Sequence, residues 1–384
     1  MSRKILVSAG EASGDLYASL VVEELRRRIP AVDFFGCTGP RLRAAGVRTV
    51  VDAASLAVVG LIEVVAHIPR IYGEYRKLIR SAEEERPAVA ILTDSPDFHL
   101  RAARRLHRMG IPVIYLVAPQ VWAWRKGRIR QMRENIHRLL CIFPFEEAFF
   151  ARERVPVSYI GHPLAGRVAP ALSKEEFFRK HRLAAGRPLL AILPGSRKGE
   201  ALRHLPALVD ASLRLYRERA VNLVLPASVT TGVEFFRSRV EGTPVRVIEG
   251  ESWDAIAHAD VALAASGTVT VEAALLGTPM VTFYRVSAPS WIAGKLLVRV
   301  PFYSMVNLIA GRRIVPELMQ SQMTGEALAT EAGRLLGDAS ARAAMCAGLA
   351  EVRRKLSQSG PLSAPARAAT IVQDILEGQF AHVS

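Results

Sequence analysis

Short runs of apolar residues alternate along the chain with longer amphipathic stretches. The runs are rich in β-branched residues, and this is typical of strands that are buried on both faces of a parallel sheet. The stretches between them have helical patterns, as expected for helices that cover such a sheet. The predicted strands lie at Lys4–Ser8, Phe34–Cys37, Val89–Leu92, Val113–Val117, Leu139–Ile142, Leu189–Leu193, Leu223–Leu225, Val245–Ile248, Val261–Ala264 and Met280–Phe283.

A polar, proline-containing stretch at 161–185 interrupts this alternation, which then starts again. The pattern therefore predicts an α/β fold with two doubly wound, Rossmann-like domains, at 1–175 and 176–355. A helical C-terminal segment at 356–384 follows. We find no internal repeat and no low-complexity segment.

The composition allows a large core, because half of the 384 residues are apolar. Lys and Arg outnumber Asp and Glu by 51 to 36, and the net charge of +15 indicates an anionic partner: nucleic acid, an acidic membrane surface or a phosphorylated substrate. Cys37, Cys141 and Cys346 form no CxxC pair, so the sequence supports neither a zinc site nor a disulfide framework. No apolar stretch has the length of a signal peptide or a membrane span, so we expect a soluble or peripheral protein in a reducing cytosol.

Ligands of open parallel sheets bind beyond the carboxyl ends of the strands, so the residues that follow each strand are candidates for chemistry. After the first strand, Gly10 permits a tight turn close to a ligand, and Glu11 and Ser13 stand at the head of the next helix. We take Glu11 as a candidate catalytic group and Gly10 and Ser13 as substrate-binding residues. The alternative is an ordinary capped loop. The loop contains no GxGxxG, so a dinucleotide is not favoured.

The segment Thr93–His99 carries the strongest candidate for a general base. Asp94 ends a predicted strand, where a carboxylate faces the ligand side of the sheet. Asp97 lies in the first turn of the next helix, where the helix dipole already accounts for an acid, and we also count it as a substrate-binding candidate. His99 is the rival base, although a histidine within a helix often serves packing.

The segment 118–130 combines Trp122 and Trp124 with several cations. The two indoles are suited to stacking on a base or to a lipid interface. A core-packing tryptophan followed by a solvated basic face explains the pattern equally well.

The loop after Leu189–Leu193 is the main candidate for binding a phosphate. Ser196 and Arg197 precede a predicted helix whose free N–H groups favour an anion, and the arginine fork matches phosphate oxygens. The alternative is that Arg197 merely pairs with an acid.

A second candidate phosphate loop follows the predicted strand Val261–Ala264. Ser266, Gly267 and Thr268 open a helix that would receive a diphosphate, and Glu272 lies one turn further on, within reach of a ribose diol. Asn307 is a candidate to complete this nucleotide site.

Near residue 60 the sequence has a cluster of apolar residues, whereas the candidate loops above carry polar groups. Val58, Val59, Leu61, Ile62 and Val65 lie together, and several cations follow them. The cluster is either a helix face packed within its own domain or an exposed wedge that contacts a membrane or acyl chains.

Ten motifs in this order resemble the lipid-A-disaccharide synthase family from Ile5 to about Gln322. They are AGEASGD, GPRLRAAG, LAVVGLIEVV, TDSPDF, APQVWAWR, FPFEEAFF, YIGHPL, LPGSRKGE, ASGTVTVEAAL and MVNLIAGRRIVPELMQ. The resemblance implies an inverting glycosyltransferase of the GT-B type, with two Rossmann-like domains facing across a cleft. It also implies that the critical acid of the family is Asp94 and its critical arginine Arg197.

The resemblance further implies the reaction and its partners. UDP-2,3-diacylglucosamine and 2,3-diacylglucosamine 1-phosphate would give the β(1→6) disaccharide and UDP, with no metal or other cofactor, at the inner face of the cytoplasmic membrane. The C-terminal segment would pack on the N-terminal domain or be exchanged in a homodimer. Two alternatives stay open: a UDP-sugar epimerase or peptidoglycan-type glycosyltransferase, and a nucleic-acid-binding module. The second is disfavoured because no nucleic-acid motif appears.

Overall fold

The computed structural model describes residues 3–56, 61–123, 127–228, 231–287, 291, 300–357 and 361–378, without the side chains of residues 61–67. The chain divides into two compact units. The first unit is Met1–Pro163 with Gln358–Ser384, and the second is Leu164–Ser357.

A seven-stranded parallel sheet forms the centre of the first unit, in the order β3-β2-β1-β4-β5-β6-β7. Its elements are β1 (Arg3–Ala9), α1 (Ala12–Arg28), β2 (Val32–Thr38), α2 (Pro40–Ala44), β3 (Arg48–Asp52), α3 (Leu61–Glu85), β4 (Val89–Thr93), α4 (Pro96–Arg108), β5 (Val113–Leu116), α5 (Arg128–Asn135), β6 (Arg138–Cys141), α6 (Pro144–Arg152) and β7 (Val157–Tyr159). The strand order changes direction beside β1 and β4, where ligands of such sheets bind.

The second unit contains a six-stranded parallel sheet in the order β10-β9-β8-β11-β12-β13. Its elements are α7 (Lys174–Lys180), β8 (Leu189–Leu193), α8 (Lys198–Arg219), β9 (Asn222–Ala227), α9 (Val233–Val240), β10 (Arg246–Glu249), α10 (Ser252–His258), β11 (Val261–Ala265), α11 (Thr268–Leu276), β12 (Met280–Tyr284), α12 (Met305–Ala310), β13 (Glu317–Met319), α13 (Gly325–Gly337) and α14 (Ala339–Ser357); α15 (Ala364–Leu376) follows in the first unit.

The predicted fold class is confirmed, and each of the ten predicted strands is present. The pattern missed β3, β7 and β13. All three lie at an edge of their sheet. Edge strands bury less of their surface than central ones, so polar residues interrupt their apolar runs and the signal weakens.

The first unit ends earlier than the predicted boundary at residue 175. The segment before α7 belongs to the second unit, because Leu172 N donates to Asp254 (2.7 Å) and the His258 ring donates to Leu172 O (2.8 Å). The C-terminal helix α15 packs on α1, where Arg28 donates to the Thr370 hydroxyl (2.8 Å).

Candidate active site

Asp94 follows β4, and its carboxylate lies at the start of α1. Oδ1 accepts a hydrogen bond from Gly10 N (2.8 Å), and Oδ2 accepts one from Glu11 N (3.0 Å). These N–H groups precede the first turn of α1, where the helix dipole favours negative charge. A Cβ on Gly14 would lie 1.7 Å from Oδ2, so only glycine leaves room for the carboxylate.

The backbone of Asp94 is held in an unusual conformation. Asp94 and Ser95 have φ values of +55° and +35°, a left-handed region that costs about 1–3 kcal/mol for each such residue. The Asp94 main-chain oxygen accepts hydrogen bonds from the Tyr115 hydroxyl (2.6 Å) and from His99 Nδ1 (3.0 Å). These two donors hold the strained turn and thereby fix the direction of the carboxylate.

Burial raises the pKa of Asp94 to about 8, although the N–H groups of Gly10 and Glu11 act in the opposite direction. The nearby carboxylate of Glu11 raises it further. The Asp94 side chain is only 12% exposed. A carboxylate with a pKa near neutrality is well matched to general-base catalysis.

His99, the rival base, is fully buried behind Asp94. Because a carbonyl oxygen only accepts, Nδ1 carries the proton that is donated to Asp94 O, and Nε2 accepts from the Ser8 hydroxyl (2.7 Å). Burial lowers the pKa of His99 to about 4, so the ring is neutral at pH 7. In this structure both ring nitrogens are engaged within the protein and the ring holds the Asp94 main chain, so Asp94 is the better candidate for the base.

The other predicted groups of the first unit lie around this loop. Glu11 is exposed just before α1, and Ser13 is half-buried in its first turn. Asp97 is exposed on α4 and forms an ion pair with Arg128 of α5. Sequence reasoning missed Tyr115 and Ser8, because a tyrosine and a serine inside apolar strands carry no signal of which atom they will meet.

Trp122 packs inside the first unit, in agreement with the prediction of a core-packing tryptophan in segment 118–130. Its indole N–H donates to Glu146 (3.2 Å), and its ring meets Phe145 edge-on at 5.0 Å. Burial raises the pKa of Glu146 to about 8. Trp124 lies outside the described residues.

In the second unit, Arg197 is the residue before α8, and its side chain is 59% exposed. Its guanidinium donates to Glu200 Oε1 (3.3 Å), which also accepts from the Tyr284 hydroxyl (2.8 Å). Ser196 is exposed, and its carbonyl accepts from the Thr231 hydroxyl (2.8 Å). Arg197 thus pairs with an acid, as the alternative stated, while its side chain remains open to solvent.

The loop of Ser266, Gly267 and Thr268 lies beside the Arg197 loop, because β8 and β11 are neighbouring parallel strands. A Cβ on Gly195 would lie 3.8 Å from the Ala265 Cβ. Gly267 and Thr268 are exposed at the start of α11, and the Ser266 hydroxyl donates to Tyr303 O (2.9 Å).

Glu272 lies one turn into α11. Burial raises the pKa of this carboxyl, and a side-chain hydrogen bond from Trp253 opposes the rise.

Asn307 is buried, and its amide group is fully hydrogen-bonded within the protein. Nδ2 donates to Val315 O (3.0 Å) and Glu317 Oε1 (2.8 Å), while Oδ1 accepts from Ile314 N (2.8 Å) and Val315 N (3.0 Å). These bonds use both donors and both lone pairs of the amide. In this structure the side chain therefore holds a turn, and the role of Asn307 in the nucleotide site stays a prediction.

The residues predicted to contact a membrane or acyl chains have no described side chain. Val58 and Val59 are outside the described residues, and for Leu61, Ile62 and Val65 the backbone alone is described, within α3. Further along α3, Ile68 is 53% and Tyr72 is 58% exposed.

Within the described ranges, no helix has the length and apolarity that crossing a membrane requires. The same part of the chain contains no group of three or more His, Cys, Asp or Glu side chains placed to hold a metal ion.

The fold resembles several solved structures of low sequence identity. A structure of MnaA from S. aureus with UDP aligns with a TM-score of 0.66 at 12% identity, covering 98% of this chain and 97% of that one. MurG of Acinetobacter baumannii aligns with a TM-score of 0.57 at 16% identity, covering 97% and 100%. At such identities the likeness shows the fold alone, which is of the GT-B type.

Comparison of sequences identifies the family as well as the fold. A family model described as Lipid-A-disaccharide synthetase matches residues 5–372. The lipid-A-disaccharide synthase of Solibacter usitatus (strain Ellin6076) is 74% identical over 99% of this chain and 100% of its own length. That of Myxococcus xanthus (strain DK1622) is 43% identical over 97% of each. The chain therefore belongs to the lipid-A-disaccharide synthase family, and it is a glycosyltransferase of lipid A biosynthesis.

Proposed function

We propose that the chain transfers diacylglucosamine from UDP-2,3-diacylglucosamine to 2,3-diacylglucosamine 1-phosphate, with Asp94 as the general base. Asp94 takes the proton of the acceptor 6-hydroxyl while that oxygen attacks the anomeric carbon. The bond from this carbon to the diphosphate breaks, UDP leaves, and the configuration inverts. The observation that carries the proposal is the carboxylate of Asp94, which is fixed at the start of α1 and has a pKa of about 8.

The second unit supplies the donor site in this proposal. Arg197 and the N–H groups at the start of α11 stabilise the charge that develops on the departing diphosphate. Ser196, Ser266, Gly267 and Thr268 belong to the same two loops, and Glu272 binds the ribose diol. Their support is the adjacency of the loops and the exposure of Arg197, Gly267 and Thr268.

The proposed reaction is tested by mass spectrometry. The purified chain is incubated with both diacylated substrates and without added metal. We expect UDP and the disaccharide 1-phosphate in equal amounts. Transfer to neither this acceptor nor its phosphate-free form would contradict the proposal.

We predict that kcat/KM rises with pH up to about 8 and then levels off, because the base must lose its proton and burial raises the pKa of Asp94 to about 8. Below that pH the expected slope is about tenfold per pH unit. The measurement is the initial rate at subsaturating acceptor from pH 5.5 to 9.5. A flat profile would show that another group accepts the proton.

We also propose peripheral binding at the inner face of the cytoplasmic membrane through α3. The support is the exposed pair Ile68 and Tyr72, beside the exposed cations Arg70 and Arg76. Apolar side chains that enter a lipid interface and cations near anionic headgroups both favour binding.

Replacing both Ile68 and Tyr72 with serine should reduce binding to phosphatidylglycerol vesicles about tenfold or more, since full burial of one large apolar side chain contributes about 1.5–3 kcal/mol. Flotation with the vesicles measures the bound fraction. The matched control replaces Leu202 and Tyr216, which are 48% and 40% exposed in the second unit, with serine. Equal loss in both double variants would contradict a specific role for α3.

We propose that the C-terminal segment has one docking site, on α1, whether within one chain or exchanged in a homodimer. The contacts of α15 with α1 support this, because an exchange would reproduce the same contacts between two copies. Analytical ultracentrifugation distinguishes the two states.

A further inference from the structure

A groove runs between α4 and α5 of the first unit. Its volume is about 520 Å³, which lies within the usual size range of small-molecule sites. Pro96, Leu100 and Arg101 line one wall, and Arg128 and Gln131 line the other. The groove therefore offers guanidinium groups from two helices, together with the apolar side chains of Pro96 and Leu100.

The groove lies at the same edge of the sheet as Asp94. The helices α4 and α5 follow β4 and β5, which are neighbours in the parallel sheet, and Asp94 is two residues before Pro96. A ligand that presents a hydroxyl to Asp94 can thus extend along the carboxyl edge towards β5 and reach the groove.

One of the two arginines, Arg128, already forms an ion pair with a carboxylate of the protein. Arg128 is only 13% exposed and is paired with Asp97, whose carboxylate is 74% exposed. Water already solvates this carboxylate, so its release costs little as long as another anion takes its place on the buried arginine. A ligand anion with more charge can displace Asp97 into water, and Arg101, which is exposed on the adjacent turn, adds a second fork.

We infer that this groove binds the phosphate monoester of the acceptor between Arg101 and Arg128, with Asp97 as the group that the phosphate displaces. The inference rests on the proposed function, which supplies an acceptor that carries its reacting hydroxyl on C6 and its phosphate on C1 of the same sugar. Arginine recognises phosphate with two parallel hydrogen bonds, which fixes the orientation of the sugar as well as its position. The groove thereby selects phosphorylated acceptors and places their hydroxyl at the base.

The test compares two acceptors, 2,3-diacylglucosamine 1-phosphate and the same sugar without the phosphate. R101Q should raise the KM of the phosphorylated acceptor about tenfold, equivalent to about 1.4 kcal/mol. The KM of the donor and the kinetics of the phosphate-free acceptor should not change. Arg101 is exposed, so the fold should tolerate the change, and the thermal midpoint checks this.

Two matched controls remove the same charge from the same helices. Arg105 of α4 is bonded to Glu83 (2.7 Å), and Arg130 of α5 is bonded to Glu134 (2.7 Å), and neither lines the groove. R105Q and R130Q should therefore leave both acceptors unaffected. If R101Q has no larger effect than these controls, or affects both acceptors equally, the inference is wrong.

Removing the charge of Asp97 should change the KM of the phosphorylated acceptor in the direction opposite to R101Q. D97N removes the competitor for Arg128, so it should lower the KM of the phosphorylated acceptor by a few-fold. Inorganic phosphate, used as a probe, should inhibit competitively with that acceptor and should inhibit D97N at lower concentrations. A higher KM in D97N, or inhibition by phosphate that is competitive with the donor alone, would overturn the inference.

The experiment distinguishes this inference from a failure of the proposed function and from binding of lipid headgroups. Failure of the unchanged protein to transfer to either acceptor is a failure of the proposed function. A lipid headgroup has the same phosphate chemistry, so binding to phosphatidylglycerol vesicles is measured in parallel. If R101Q weakens vesicle binding more than R105Q does and leaves the acceptor KM unchanged, the groove binds headgroups and the inference is overturned.

Discussion

Replacing Asp94 with asparagine is expected to lower kcat by about 10²–10⁴-fold, the usual contribution of a general base. The amide cannot accept the proton of the acceptor hydroxyl, although it has almost the size of the carboxylate. The KM of the donor should change little, because the donor loops belong to the second unit. Single-turnover rates with both substrates saturating measure the loss directly.

Two checks accompany this variant. An amide has one acceptor oxygen, so either Gly10 N or Glu11 N loses its partner at a cost of about 1–3 kcal/mol, and a thermal melt shows whether the fold survives. E134Q removes an exposed carboxylate of α5 and should retain normal turnover. Normal turnover in D94N itself would assign the base to another group, with Asp97 the first to test.

Replacing Arg197 with alanine is expected to reduce kcat/KM for the UDP-sugar by about 10–100-fold, since a charge-assisted bidentate contact contributes roughly 1.5–3 kcal/mol. The loss should appear in both kcat and the donor KM, because the phosphate charge is present in the ground state and grows as UDP leaves. UDP binding by calorimetry and initial rates at varied donor concentration measure the two parts.

Arg203 provides the matched control for Arg197. It lies in α8, the helix that Arg197 precedes, and donates to Gly199 O (2.9 Å). R203A should behave like the unchanged protein. R197K should recover part of the lost rate, because lysine keeps the charge and loses the fork. If R197A binds and uses the donor normally, Arg197 serves only its ion pair with Glu200.

The central strands and the loops that follow them were predictable because their signals are local. A fully buried parallel strand must be apolar on both faces, so Leu189–Leu193 and Val261–Ala265 are evident without any partner. The edge strands β3 and β13 were missed, since what makes them strands is pairing with β2 and β12 rather than their own composition.

The roles of individual polar residues were less predictable. His99 and Asn307 each occur in a motif beside a candidate site, yet both are fully buried and spend their hydrogen bonds on backbone groups and neighbouring side chains. Nothing in a linear sequence states whether an amide or imidazole faces a ligand or a carbonyl. That choice depends on atoms brought together from distant positions, such as Asp94 and Tyr115.

By itself, the sequence determined two doubly wound sheets, the loops that carry the candidate chemistry and the family of the chain, because strand burial, glycine turns and motif order are written in contiguous residues. Only the tertiary structure decided what surrounds each candidate group. In the fold, the carboxylate of Asp94 accepts hydrogen bonds from Gly10 N and Glu11 N, and burial raises its pKa. The His99 ring donates to the main-chain oxygen of Asp94. The physical reason is that hydrogen-bond partners and desolvation are properties of surroundings, and the surroundings of Asp94 come from three different strands and the helices that follow them.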